Sequence, residues 1–246
     1  MKFGILGDIH SNIEALDAVL SYFAKNGVDR VFAVGDLVGY GADPIAVIAR
    51  IQSEGIQSVL GNHDAAVVES EYVDLASFNL YARTAALWTR KVLRSHELDY
   101  LRGLPMLLVE DGFVIVHGSL DQPKEFNYIQ TVRDAERSLG CLNTNVCFVG
   151  HTHIPVGFLS NASDPGRIEY SFDNNIDLSG FDRCLTNVGS VGQPRDEDPR
   201  AVAAIFDTER RVVSMNRVTY DFDRAAGKIL AAGLPRVLAE RLRYGV

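Results

Sequence analysis

The chain has 246 residues, a formal charge of −8 and a pI near 5.2, a balance that excludes a long nucleic-acid groove, which needs a basic face, but admits a small phosphorylated ligand held through cations. With 47% hydrophobic and 23% charged residues it reads as an ordinary globular protein, and no apolar run approaches the roughly 18 to 20 residues of a membrane span. Met1-Lys2-Phe3-Gly4-Ile5 enters a strand without a cleavage-site pattern, so a cytoplasmic protein with no membrane partner is expected.

Residues 2–60 alternate strand and helix. Lys2–Gly7 reads as a strand, and Ser11-x-x-Glu14 as a capping box opening a helix with Ile13, Leu16, Val19, Leu20 and Phe23 on one stripe. Val31–Val34 is an apolar strand. Asp43-Pro44 starts a helix carrying Ile45, Ile48 and Ile51, Gly55 ends it, and Ile56–Leu60 is the third strand. Strands joined by helical crossovers predict a parallel sheet. Residues 65–76 are acidic and aperiodic. Phe78, Tyr81, Ala85, Trp88 and Val92 keep helical spacing and predict one helix over about 78–95, with Trp88 and Tyr81 as core anchors.

Met106–Val109 and Phe113–Val116 flank Glu110-Asp111-Gly112 as a hairpin, Thr131–Leu139 is a helix, and Asn145–Val149 is a buried strand. From residue 154 the pattern turns to short strands, Ile154–Leu159, Arg167–Phe172, Arg183–Thr186, Ala201–Asp207 and Val212–Val218. They predict a second, mostly antiparallel sheet packed on the first within a single domain over 1–246, ending in a helical tail at about 221–243. Cys141, Cys147 and Cys184 form no CxxC pair and read as core thiols.

A polar cluster follows each of five strands: Gly7-Asp8-Ile9-His10, Gly35-Asp36, Gly61-Asn62-His63-Asp64, His117-Gly118 and Gly150-His151-Thr152-His153. In an open parallel sheet the C-terminal strand ends line one edge, where ligands bind. Five of the six histidines fall in these clusters, and only His96, near the end of a predicted helix, lies elsewhere. Packing alone would not sort them so. Oxygen and nitrogen donors in this number exceed one tetrahedral site and suit two cations sharing a carboxylate, with Mn, Fe, Co, Ni and Zn all compatible.

The ordered blocks GDIH, GDLVG, GNHD, HG and GHTH resemble those of the calcineurin-like metallophosphoesterases, in particular the small bacterial and archaeal phosphodiesterase branch. Asn187-Val188-Gly189-Ser190 resembles that branch's Asn-Pro-Gly-Ser turn, with Val at 188 in place of Pro. The resemblance implies a four-layer α-β-β-α sandwich of two mixed sheets with flanking helices. It implies one metal held by Asp8, His10, Asp36 and His153, and a second by Asp36, Asn62, His117 and His151. Asp36 would bridge, and a hydroxide shared by the metals would attack a small phosphodiester or nucleotide-type substrate. The division of His151 and His153 between the metals stays open.

His63 is then expected to serve the leaving oxygen, with Asp64 orienting it. Asn62 and His63 would face the substrate, and Arg195 would grip its phosphate unless Asp196, Glu197 or Asp198 engages it first. Asn187 is expected to support the His151–His153 loop. A protein Ser/Thr or small-molecule phosphomonoesterase, and a non-catalytic scaffold on the same fold, are the competing readings; homo-oligomerisation stays open.

Overall fold

The computed structural model describes residues 1–246, the side chain of Pro165 excepted. Among the described residues the strands form two six-stranded sheets. The first contains β1 (Lys2–Leu6), β2 (Arg30–Ala33), β3 (Gln57–Ser58), β9 (Asn175–Asp177), β11 (Ala201–Asp207) and β12 (Val212–Val218), ordered β3-β2-β1-β11-β12-β9. The second contains β4 (Leu107–Glu110), β5 (Phe113–Val116), β6 (Val146–Val149), β7 (Val156–Asn161), β8 (Asp164–Ser171) and β10 (Arg183–Asn187), ordered β4-β5-β6-β10-β7-β8.

β1, β2 and β3 are parallel, joined by α1 (Ile13–Lys25) and α2 (Pro44–Ser53), as predicted. The expected division of the chain at residue 154 is corrected. β4, β5 and β6 already belong to the second sheet, while β11 returns to pair antiparallel with β1, Ile5 opposite Ala204. Its composition explains why. Ala201, Ala203 and Ile205 face the helices, and Val202, Ala204 and Phe206 face the other sheet. A strand buried on both sides belongs in a sheet's centre. Both sheets are therefore mixed.

Between the sheets, Phe3, Phe32, Phe113, Phe148 and Phe206 interlock, neighbouring rings lying 5.0–6.1 Å apart. Tilted pairs of this kind add about 0.5–1.5 kcal/mol each beyond their buried area. Helices α1 and α2 pack on the outer face of the first sheet with α4 (Leu80–Val92), α5 (Ser95–Arg102), α7 (Phe222–Ala231) and α8 (Arg236–Glu240). Helix α6 (Val132–Gly140) covers the second. The four-layer sandwich follows.

Several local expectations change. Asn12, not Ser11, caps α1, its Oδ1 accepting from the Ala15 amide at 3.1 Å. The helix expected over 78–95 is α4, Leu80–Val92, which stops where Leu93 turns inward in an extended conformation; Glu97 then accepts the Arg94 amide to start a second helix, α5. Tyr81 is exposed rather than an anchor, whereas Trp88 packs against the core. β9 had no clear signal in sequence. Cys147 and Cys184 are buried, but Cys141 is exposed. No described helix is long and apolar enough to cross a membrane.

Candidate metal centre

β1, β2 and β3 end on the same edge of the sandwich as β5 and β6, and the polar clusters meet there. Asn62-His63-Asp64 forms the first turn of α3 (Asn62–Val67) rather than a loop. Two groups of ligand atoms result, Asp8, His10, Asp36 and His153 in one and Asp36, His117 and His151 in the other, with the atoms of each within 4.8 Å of one another. Asp36 belongs to both. Its Oδ2 lies 3.5 Å from His10 Nε2 and 3.4 Å from His117 Nε2. His153 Nε2 is 3.5 Å from Asp8. Asn62 Oδ1 joins the second group, 3.0 Å from His117 Nε2. The seven residues proposed from sequence thus lie together, with His153 beside Asp8 and His151 beside His117.

The histidine hydrogen bonds test whether these donors suit cations. His10 Nδ1 faces the Val38 carbonyl at 3.0 Å, His117 Nδ1 that of Val34 at 2.8 Å, and His153 Nδ1 that of Gln193 at 2.7 Å. A carbonyl only accepts, so each Nδ1 carries a proton, and the neutral rings of His10 and His153 aim the Nε2 lone pair inward. His10 and His153 then point two lone pairs at each other across 3.2 Å. That contact is repulsive unless a cation or proton lies between them. The donor set fits divalent metals, and the carbonyls are the outer partners that orient metal-binding imidazoles.

Electrostatics agree. Burial holds His10, His151 and His153 well below the ordinary imidazole range, hence neutral. Burial also opposes the charge on His117, but Asp36 and Asp8 outweigh it and lift this group to about 9. Burial pushes Asp8 up to about 7, the like charge of Asp36 adding to the effect. Asp36 itself is held well below the carboxylate range, since His117, His63 and His10 together overcome its burial.

The backbone is bent to present these groups. Among the described residues twelve non-glycine ones have positive φ, and five of these are Asp8, His10, Asp36, His151 and His153, so the strain is concentrated at the donors, as at functional sites generally. Glycines make room: a Cβ on Gly150 or Gly61 would run into the carboxylates of Asp8 or Asp36. The Asn187–Ser190 turn locks the assembly. Asn187 Nδ2 donates to the Gly150 carbonyl and, at 3.0 Å, to Thr152 Oγ1, while Ser190 Oγ donates to the Asp8 carbonyl at 2.7 Å. Val188 is fully buried here, so the turn is held by packing and hydrogen bonds in place of a proline ring.

Beside the second group opens a cleft of about 400 Å³ lined by Asn62, His63, His151, Tyr40, Phe78 and Tyr128 among others. The His63 ring packs between Tyr40 and Phe78, at 4.5 and 4.9 Å. Its Nδ1 is buried without a partner, leaving Nε2 as the nitrogen that meets the cleft. Burial lowers this group to about 4.

Asp64 does not orient His63, which corrects the expectation. Its carboxylate accepts the amides of Leu37, Val38 and Gly61 at 3.3, 3.1 and 3.1 Å, so it ties the Asp36 loop to α3. Arg195 is free of the acidic neighbours that compete for it: Asp196 pairs with Arg217 and Asp198 with Arg200. Its Nη2 donates to Gln193 Oε1 at 2.8 Å, its Nε is buried without a partner, and the guanidinium lies 5.6 Å from the Tyr40 ring centre. Sequence reasoning missed Phe78 and Tyr128 as walls of the cleft, which Tyr40 also lines. Phe78 kept helical spacing and read as core, whereas Tyr128, stacked on His151 at 3.8 Å, carried no signal.

A double-sheet sandwich with Asp/His groups sharing one aspartate at its strand ends defines a metal-dependent phosphoesterase. The model of the calcineurin-like phosphoesterase superfamily domain matches residues 1–211, and the chain belongs to that superfamily. It is a hydrolase of phosphoric ester bonds, from a family that works with divalent metals. An uncharacterized protein of Methanocaldococcus jannaschii is 37% identical over 246 residues, covering 98% of this chain and 97% of the relative. A symmetrical bis(5'-nucleosyl)-tetraphosphatase of Methylobacillus flagellatus is 29% identical over 143 residues, 54% of this chain and 49% of that protein. Among solved structures, a metallophosphoesterase of Sphaerobacter thermophilus matches with a TM-score of 0.87 at 36% identity, covering 100% of this chain and 99% of the other. A hypothetical protein of Pyrococcus horikoshii shares the fold at a TM-score of 0.78 and 19% identity, covering 100% and 98%.

Proposed function

We propose that the protein is a dinuclear metal-dependent phosphohydrolase acting on a small phosphodiester, one side of which carries a nucleoside or another planar group. The observation that carries this reading is the cleft beside Asn62, His63 and His151, walled by Tyr40, Phe78, Phe126 and Tyr128. These aromatic faces offer stacking area to a flat group carried on the ester beyond the phosphate. The tetraphosphatase name carried by two partial relatives supports a nucleotide-type substrate.

Asp8, His10, Asp36 and His153 would hold one cation and Asp36, Asn62, His117 and His151 the other. When bound, such a pair lowers the pKa of a shared water and draws charge from the phosphate oxygens. The chain's own groups supply the rest. Arg195, with a free Nε and no carboxylate partner, attracts the phosphate and offers charge-assisted hydrogen bonds. His63 stays neutral at pH 7. With its proton on Nε2 no N–H is buried unpaired, and that N–H can donate to the leaving oxygen as negative charge develops. Tyr40 and Phe78 hold the ring in place and exclude water from its other faces.

The test is hydrolysis of bis-p-nitrophenyl phosphate against p-nitrophenyl phosphate with added Mn²⁺, with and without EDTA. Preference for the diester, abolished by EDTA, is expected. Preference for the monoester would assign the protein to the phosphomonoesterases, and turnover of neither with metals bound would make it a binding module.

A further inference from the structure

Two acidic residues stand where the chain would be expected to cap helices, and neither does. Asp43 occupies the N-cap of α2, where a carboxylate usually accepts an amide of the first turn, yet its side chain makes no such bond. Glu14, in the first turn of α1, gives Oε1 to cations and leaves Oε2 buried without a partner. Both carboxylates turn to Lys228 of α7, whose Nζ lies 2.6 Å from Glu14 Oε1 and 2.8 Å from Asp43 Oδ2. Arg224, one turn earlier on α7, lies 3.1 Å from the same Glu14 oxygen. The side chains of Asp43 and Lys228 are 23% and 30% exposed. An ion pair that is partly exposed adds no more to stability than the cap it displaces, so stability does not account for the exchange. α7 also lies beyond the residues that the superfamily domain model matches.

The two acids follow closely on the loops that carry His10 and Tyr40. Backbone bonds join those loops: the Gly41 amide donates to the His10 carbonyl at 3.1 Å and the Asp43 amide to the Ser11 carbonyl at 3.0 Å. Tyr40, in the left-handed region at φ 52°, rests its ring 4.6 Å from that of His10 and 4.5 Å from that of His63. Gly39 passes so close that a Cβ there would press on His63 Nδ1. We propose that Lys228 is a positioning residue: it ties the first turns of α1 and α2 to α7, and so fixes the loop over residues 39–43 that sets Tyr40 against His63. The two backbone bonds alone leave this loop free to tilt about the line joining them, and a third contact from a separate helix removes that freedom. The consequence for turnover rests on the phosphohydrolase reading, whereas the tie to the loop does not.

Asp43→Ser separates placement from stability. Serine caps a helix about as well as aspartate but is too short to reach Lys228, so the melting temperature should stay within about 3 °C of the wild type. Amide hydrogen exchange over residues 37–43 should quicken about tenfold. With bound metal unchanged by elemental analysis, kcat for bis-p-nitrophenyl phosphate should fall about tenfold and KM should move less than about threefold, because the misplaced group is the donor to the leaving oxygen. Lys228→Met should show the same exchange and the same kcat, although it melts earlier because Glu14 keeps only Arg224. The double variant should lose no more than either single change. Unchanged exchange in Asp43→Ser would overturn the tie whatever the wild type hydrolyses. Faster exchange with full turnover, or a loss that follows melting temperature across the two variants, would leave Lys228 a stabilising residue only. Additive losses in the double variant would show that Asp43 acts through another partner.

Discussion

Replacing Asn187 tests how far the metal centre depends on a residue that does not belong to either donor group. Asn187 is 1% exposed and makes three hydrogen bonds: from Nδ2 to the Gly150 carbonyl and Thr152 Oγ1, and to Oδ1 from the Gly189 amide. Asn187→Ala leaves the buried Gly189 N–H without a partner and removes one of the two donors to the Gly150 carbonyl, which keeps the Thr152 amide at 2.8 Å. At about 1–3 kcal/mol for the orphaned group and about 0.5–1.5 kcal/mol for the bond lost at Gly150, the loss should be about 2–4 kcal/mol. For a chain of this size, about 2–4 °C of melting temperature per kcal/mol gives a drop of roughly 5–15 °C. The same bonds anchor the segment from Gly150 to His153, so each donor group loses the support of one histidine. Supporting residues of this kind typically change metal affinity by about 10- to 100-fold. Thermal melts with and without EDTA read the first effect, and metal titration against a competing chelator reads the second. Asn187→Asp separates them further: it keeps the acceptor for Gly189 but turns an oxygen toward the Gly150 carbonyl, so it should loosen metal almost as much as Ala. A variant that melts early yet binds metal like the wild type would refute the argument that this side chain positions the histidines.

His63→Ala should retain its metals by elemental analysis and lose about 10²- to 10³-fold in turnover, the usual cost of a missing donor to developing charge; loss of metal instead would make His63 part of the cage. Arg195→Ala should leave metal content intact and raise KM by about ten- to a hundredfold, the equivalent of about 1.5–3 kcal/mol for a charge-assisted contact. An unchanged KM would remove Arg195 from the substrate's path. The stabilisation conferred by Mn²⁺, read as the shift in melting temperature, should grow from about pH 6 to about pH 9, because metal must displace protons from its ligands. The sign follows from Asp8, raised to about 7, and His117, raised to about 9. Each stabilises the metal-free fold below its unfolded pKa, and that contribution is lost as pH rises through the folded value. A shift that is flat across the range would show that neither group carries a proton metal must replace.

The site was more legible in the sequence than the sheets that build it. Donor clusters such as Gly7-Asp8-Ile9-His10 announce themselves because an apolar run ending in Gly and a metal-competent side chain has few packing explanations. Strand partners are harder to read. The run Ala201–Asp207 displays its burial on both faces, but nothing local says that its neighbour is Lys2–Leu6, two hundred residues earlier. Asp64 failed for the same reason. Adjacency suggested His63 as its partner, whereas the amides that needed it lie at Leu37 and Val38, on a different loop. The competition for Arg195 was likewise settled at long range, since Asp196 turns to Arg217 on β12.

This long-range dependence is itself informative about the chemistry. The first sheet carries Asp8, His10, Asp36 and Asn62, and the second carries His117, His151 and His153. Neither donor group is complete on one sheet: the first takes His153 across the gap, and the second needs Asp36 from the opposite side. The spacing that decides whether cations fit is therefore set by sheet packing, through rings such as Phe3, Phe113 and Phe148 deep between the layers. Interiors packed this closely do not deform gradually. A hydrophobic core that fixes the distance between two sheets thus also fixes the distances among the donors at their shared edge, and the strained φ angles at Asp8, Asp36 and His151 aim the donors across that fixed gap.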